Sequence, residues 1–334
     1  MTTALVTGGG GFLGSGFVRA AIERGWSVRS FSRGAYPQLA AAGVDCRRGD
    51  IADADAVSQA VAGVDVVFHT AAKVDMWGRR SDFERSNVEG TDHVIAACRR
   101  HGVRRLVFTS SPSVVHDRDD LEGVDESAPY PDDYDADYPR TKAEAERRVL
   151  AADGDELTTV ALRPHLIWGP GDTHVVPQIV ERARAGRLRL IDGGRKLVDT
   201  VFVDNAVDAH LLAAELLRPG APCAGRAYFI TNGEPKPLAE IVNRMLAAAG
   251  EPPVTRSVPR GLALSVAGLI ESAYRVLPLR GEPPMTRFIA HSLATAHWYD
   301  ISAAERDLDY RPRVSLDEGF ERLAEWYASQ RGRP

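Results

Sequence analysis

The chain has 334 residues, 44% hydrophobic and 26% charged, with a formal net charge of −5. This is ordinary globular composition, long enough for a large domain plus a smaller one. The acidic balance excludes a nucleic-acid binder, which needs a cationic excess to neutralise phosphates.

Taken in chain order, residues 4–7, 27–32, 64–70, 105–110 and 158–163 read as strands. Residues 14–24, 53–62, 81–101 and 139–152 read as helices between them. Such alternation predicts an α/β fold, a doubly wound parallel (Rossmann) sheet covered on both faces. Past Arg163 the turn-rich pieces Trp168-Gly-Pro-Gly171, Asp192-Gly-Gly194 and Asn232-Gly-Glu-Pro-Lys-Pro237 break the rhythm. They predict a smaller C-terminal substrate lobe. The expected division is 1–165 for dinucleotide binding, with about 199–232 returning to it, and 166–334 for the lobe.

The first strand starts at once, leaving no room for a signal peptide. Cys46, Cys98 and Cys223 are too scattered for a disulfide framework or a zinc site and fit a reducing compartment. The longest apolar run, 261–270, is short of the roughly 20 residues a bilayer crossing needs. A cytoplasmic protein without an integral membrane segment or a metal is expected. Residues 261–279, rich in Leu, Ala and Val, with Tyr274 and a stop at Pro278, can line a channel for alkyl chains. An amphipathic helix packed on its own lobe explains them equally well.

Directly after the first strand, Thr7-Gly-Gly-Gly-Gly-Phe-Leu-Gly14 spaces Gly8, Gly11 and Gly14 at a helix mouth. A pyrophosphate needs bare backbone and free helix N–H groups, so Gly8, Gly11, Phe12, Leu13 and Gly14 are the expected phosphate cradle. The second strand ends on Ser32 and Arg33, where an NAD site usually places a carboxylate for the ribose 2′-hydroxyl. Arg33 attracts a 2′-phosphate instead, which predicts NADPH, with NADH the weaker choice. Asp50, followed by Ile51, ends the third strand and can accept from the adenine amino group. The small Ala71 and Ala72 leave room for a ribose.

Tyr138-Pro-Arg-Thr-Lys142 sets Tyr138 and Lys142 one helical turn apart on one face. The ammonium is expected to lower the phenol's pKa, so that Tyr138 exchanges a proton with a ketone oxygen. Lys142 can also hold the nicotinamide ribose. In Phe108-Thr-Ser-Ser-Pro112, Ser111 is the expected donor to the carbonyl oxygen and Ser110 its nearest rival.

These motifs, with Gly49-Asp50, Thr70-Ala-Ala72 and Val201-Phe-Val-Asp-Asn205, resemble an extended short-chain dehydrogenase/reductase over nearly the whole chain. The 3β-hydroxysteroid dehydrogenase-like branch is the most similar. Within it, Ala71-Ala-Lys-Val-Asp-Met-Trp-Gly78, Ser111-Pro-Ser-Val114 and Arg163-Pro-His-Leu-Ile-Trp-Gly-Pro-Gly-Asp-Thr-His174 resemble the bacterial 2-alkyl-3-oxoalkanoate reductases of long-chain olefin biosynthesis. The resemblance implies NADPH-dependent reduction of a lipid-like β-keto acid to the 2-alkyl-3-hydroxyalkanoate. It places Pro164 in the segment under the nicotinamide. It also implies assembly with other enzymes of the olefin pathway, and homodimers, which are common in the family. Thr70 stands where the family usually has Asn. Arg163, His165 and His174 are candidates for the substrate carboxylate. Sterol dehydrogenation, a nucleotide-sugar epimerase or dehydratase, and an NADPH-sensing regulatory protein are the alternatives, the last disfavoured by the Tyr138/Lys142 pair.

Overall fold

In a computed structural model, which describes residues 1–277, 279 and 281–331, seven parallel strands form the central sheet. They are β1 (Thr3–Thr7), β2 (Ser27–Ser32), β3 (Asp45–Arg48), β4 (Val66–His69), β5 (Arg105–Thr109), β6 (Thr158–Pro164) and β7 (Arg226–Ile230). Their order is β7-β6-β5-β4-β1-β2-β3. The chain therefore winds one way from β1 to β3 and the other way from β4 to β7. This reversal leaves a crevice at the carboxyl ends of β1 and β4, where such sheets bind ligands.

Side-chain alternation divides the core in two. Ala4 and Val6 of β1 face one cluster with Phe17 and Val18 of helix α1 (Phe12–Glu23), while Leu5 faces the other. The second cluster draws on α2 (Ala54–Val61), α3 (Gly90–His101) and α4 (Asp137–Ala151). Helix α5 (Val203–Leu216) joins α1 in the first cluster. Strands buried on both faces read as near-continuous apolar runs, as Val66-Val-Phe68 does.

The helix expected over 81–101 is not uniform. A short turn, Arg80–Phe83, passes into a π-helical turn, Glu84–Glu89, before α3 begins. The wide turn sets Asn87 inside the molecule. Such turns recur at functional sites.

Beyond β6 a four-stranded sheet forms from Lys236–Pro237, Leu197–Val198, His297–Tyr299 and Leu121–Val124. Its last strand comes from the first half of the chain. Helix α6 (Arg260–Val276) packs on α7 (Arg287–Ala294) through Ala267, Gly268 and Glu271. Leu262, Val266, Leu269 and Val276 are exposed, so this face of α6 is not packed against its own lobe. Pro278 lies outside the described residues. No described helix is long and apolar enough to cross a membrane.

Candidate active site

The cradle closes through main-chain bonds. Gly8 N donates to Phe31 O (2.8 Å), tying β1 to β2, and Gly11 N donates to Gly8 O (2.9 Å). Gly8 holds φ +73°, and a Cβ on Gly14 would stand 2.2 Å from Gly8 O. Only glycine permits this approach of helix and strand. Gly11, Phe12 and Leu13 follow as the first residues at the mouth of α1, whose N-cap has no side-chain acceptor. The helix therefore begins with N–H groups free for an anion, and the bare loop above them fits a pyrophosphate.

Ser32 Oγ accepts from Gly10 N (3.3 Å), so the end of β2 braces this loop. Arg33 is exposed. Arg48, opposite Ser32 in the β2–β3 register, donates from Nε to Arg33 O (2.9 Å). Two guanidiniums thus stand at the end of β2 without a carboxylate partner among the described residues. Sequence reasoning passed over Arg48, although it directly precedes Gly49-Asp50. Asp50 accepts from Ala52 N (3.0 Å) in a local turn, and the cap of α2 is Asp53 instead. Ile51 is buried, and a Cβ on Gly90 would meet it at 2.9 Å. Any part Ile51 takes in binding falls to its main chain.

At the end of β4, Thr70 Oγ1 donates to Thr7 O (2.6 Å), and Thr7 Oγ1 accepts from Thr70 N and Ala71 N (both 3.1 Å). Thr70 thereby stitches β4 to β1 where the family usually has Asn. Beneath it His69 sits between Thr7 Oγ1 (2.8 Å) and Thr91 Oγ1 (3.0 Å). Because Thr91 donates to Asn87 O, it accepts from His69 Nε2–H, and His69 Nδ1 accepts from Thr7. Burial, and then the Lys142 charge, push His69 down to about 3.

Tyr138 lies in the first turn of α4. Ser111 caps the short helical turn that follows β5, its hydroxyl accepts from Ser113 Oγ (2.9 Å), and it lies close enough to the Tyr138 phenol to favour the ionised form. Ser110 is buried and its Oγ has no partner among the described residues. The two serines therefore separate cleanly, and Ser111 is the one beside the phenol.

The expected lowering of Tyr138 by Lys142 is corrected here. Burial raises the phenol above its ordinary value, and Ser111 works against that rise. Lys142 has another engagement. Its Nζ donates to Thr109 O (2.6 Å) and lies 4.0 Å over the Phe108 ring, and burial brings the ammonium down to about 7. Thr109 in turn donates to His210 Nε2 (2.9 Å), whose Nδ1–H is given to Ala206 O (2.7 Å). Pro164 ends β6, buried opposite Ile230.

The carboxylate candidates disperse. Arg163 is buried against Glu146 (2.6 Å). His165 contacts Asp199 Oδ1 through Nδ1 (2.6 Å) and His297 Nδ1 through Nε2 (3.1 Å). His174 is exposed at the start of a lobe helix, Val175–Arg184.

The sheet, its glycine loop after β1, and Ser111, Tyr138 and Lys142 just past β5 and on α4 fit an oxidoreductase of the extended short-chain dehydrogenase class. The chain belongs to the 3-beta hydroxysteroid dehydrogenase/isomerase family, whose profile matches residues 5–258. It is 54% identical to a 2-alkyl-3-oxoalkanoate reductase of Stenotrophomonas maltophilia (strain K279a), over 96% of this chain and 97% of that one. A 2-alkyl-3-oxoalkanoate reductase of Shewanella oneidensis is 46% identical over 96% of this chain and 85% of its own. Among solved structures, MoeE5 in complex with UDP-glucose and NAD superposes with TM-score 0.75 at 25% identity, covering 99% and 100% of the two chains. These relatives support keto-acid reduction with a nicotinamide dinucleotide.

Proposed function

We propose that the chain reduces the ketone of a long-chain 2-alkyl-3-oxoalkanoate to the 2-alkyl-3-hydroxyalkanoate with NADPH, as a cytoplasmic step of olefin biosynthesis. The observation that carries the reading is the placement of Tyr138 in the first turn of α4 and of Ser111 just past β5, with burial favouring the neutral phenol and Ser111 near enough to act on it. When bound, the reduced nicotinamide supplies a hydride. The chain supplies the rest.

Ser111 and Tyr138 present hydroxyl groups to one ketone oxygen, in the manner of an oxyanion hole. As charge grows on that oxygen, Tyr138 gives up its phenolic proton. A phenol held neutral by burial is suited to this direction, because reduction needs an acid and not a phenolate. Ser113, donating into Ser111, orders the hydroxyl chain that faces the developing charge. Lys142 is held by Thr109, and Thr109 by His210, so the ammonium stands on a buried hydrogen-bonded support.

Arg33 and Arg48 support NADPH, since both offer guanidinium groups where a 2′-phosphate would stand. The test is an initial-rate assay with a long-chain 2-alkyl-3-keto acid, comparing the native chain with Tyr138→Phe. Loss of about 10² to 10⁴ in kcat with little change in NADPH affinity is expected. A Tyr138→Phe chain that turns over at the native rate refutes the reading.

A further inference from the structure

The proposed substrate makes a geometric demand. In a 3-keto acid a single carbon separates the carboxylate from the ketone. The group that neutralises the carboxylate must therefore stand beside Tyr138 and Ser111. Arg163 and His165 are engaged elsewhere, and Lys142 is bonded to Thr109. Arg140, two residues after Tyr138, is paired with Asp137 and Glu84 (both 3.0 Å).

We infer that Lys73, just past the end of β4, is the carboxylate-binding residue of this site, an inference that rests on the function proposed above. Asn87 grips its main chain from both sides. Lys73 N donates to Asn87 Oδ1 (2.7 Å), and Asn87 Nδ2 donates back to Lys73 O (3.1 Å). The same Nδ2 reaches Thr141 Oγ1 (3.0 Å). Thr141 lies on α4 between Tyr138 and Lys142. Two hydrogen bonds tie the Lys73 main chain to Asn87, a third ties Asn87 to the helix that carries Tyr138, and the π-helical turn sets Asn87 in place.

The side chain is poised for exchange. It is 23% exposed, and its ammonium sits 5.0 Å from the centre of the Phe83 ring. Gly78, at φ +153°, turns the chain back so closely that a Cβ would stand 3.3 Å from Lys73 Cε. Among the described residues the ammonium's one carboxylate partner is Asp75, itself 44% exposed. Exposed pairs of this kind are weak. An incoming carboxylate can displace Asp75 with little loss.

The experiment compares the native chain, Lys73→Gln and Lys73→Arg with NADPH, on a 2-alkyl-3-keto acid and on its methyl ester. Lys73→Gln is expected to raise KM for the acid by roughly 10- to 100-fold, the loss of one charge-assisted contact. Kinetics on the ester stay unchanged, and Lys73→Arg recovers most of the acid's KM. An unchanged KM for the acid in Lys73→Gln, or an equal loss on acid and ester, overturns the assignment alone. A native chain that does not reduce the acid at all overturns the proposed function, and Lys73's role with it.

Discussion

Arg163 and Glu146 grip each other at two points, Nη2 to Oε1 at 2.6 Å and Nε to Oε2 at 3.0 Å, with side chains 3% and 0% exposed. Tyr130 adds its hydroxyl to Glu146 Oε1 (2.6 Å). The pair bolts α4 to β6, one turn beyond Lys142 on the helix. Glu146's charge also holds the Lys142 ammonium up against the burial that lowers it.

Breaking this pair from one side leaves a buried charge unmatched. Glu146→Gln or Arg163→Met is expected to cost about 3–5 kcal/mol each, and the double variant clearly less than their sum. Urea denaturation of the four chains checks this. Additive losses would show that the two side chains do not depend on each other.

Stability should fall in mild acid. Burial drops His69 to about 3 and His210 to about 4, against 6.5 for a free ring. Between those values the unfolded chain binds more protons than the folded one, so stability rises with pH there. It is lost as pH falls from about 6.5 toward the folded values. From pH 7 to pH 5 the loss is on the order of 2 kcal/mol for each ring. Denaturation midpoints measured across that range test it, and a flat profile contradicts it.

How far the sequence speaks depends on whether a feature is local. The cradle was legible because Gly8, Gly11 and Gly14 act through their own backbone, straight after a strand. Tyr138 and Lys142 were legible as a helix face. The environment of the phenol was not, because it depends on Thr109 and Ser111 arriving from β5, thirty-three residues before Lys142 in the case of the Thr109 bond. Arg163 looked available as a residue type, and only the meeting of α4 with β6 reveals its partner. Lys73 escaped notice for the same reason, since Asn87 reaches it only through an irregular helical turn that periodicity does not announce. The outward stripe on α6 shows the opposite failure. Its apolar spacing was visible, but not the direction it faces.

Cofactor choice should follow the two arginines at the end of β2. Under the proposed use of NADPH, Arg33 and Arg48, the latter bonded to Arg33 O, are the two guanidinium groups available to a 2′-phosphate there. Arg33→Ala and Arg48→Ala are each expected to raise KM for NADPH by about 10-fold or more, and to leave NADH nearly untouched. Initial rates with both dinucleotides decide the matter. An equal effect on NADPH and NADH removes these residues from 2′-phosphate recognition.

Leu166 follows Pro164 and His165 past the end of β6 with φ +42° and 37% of its surface exposed. A leucine in the left-handed region costs roughly 1–2 kcal/mol, and the burial of the larger part of its surface offsets a similar amount. Leu166→Gly is therefore expected to change stability by less than about 1 kcal/mol, far less than deleting an unstrained leucine of the same burial. If the strain is kept because Leu166 contacts the alkyl chain of the substrate, the same variant raises KM for long-chain acids. Each lost methylene contact is worth about 0.8 kcal/mol, and short-chain acids should respond less. Thermal melting together with a chain-length series separates the two effects. A strongly destabilised glycine variant would mean that Leu166 is held by packing, and a chain-length-independent KM would mean that it does not touch the alkyl group.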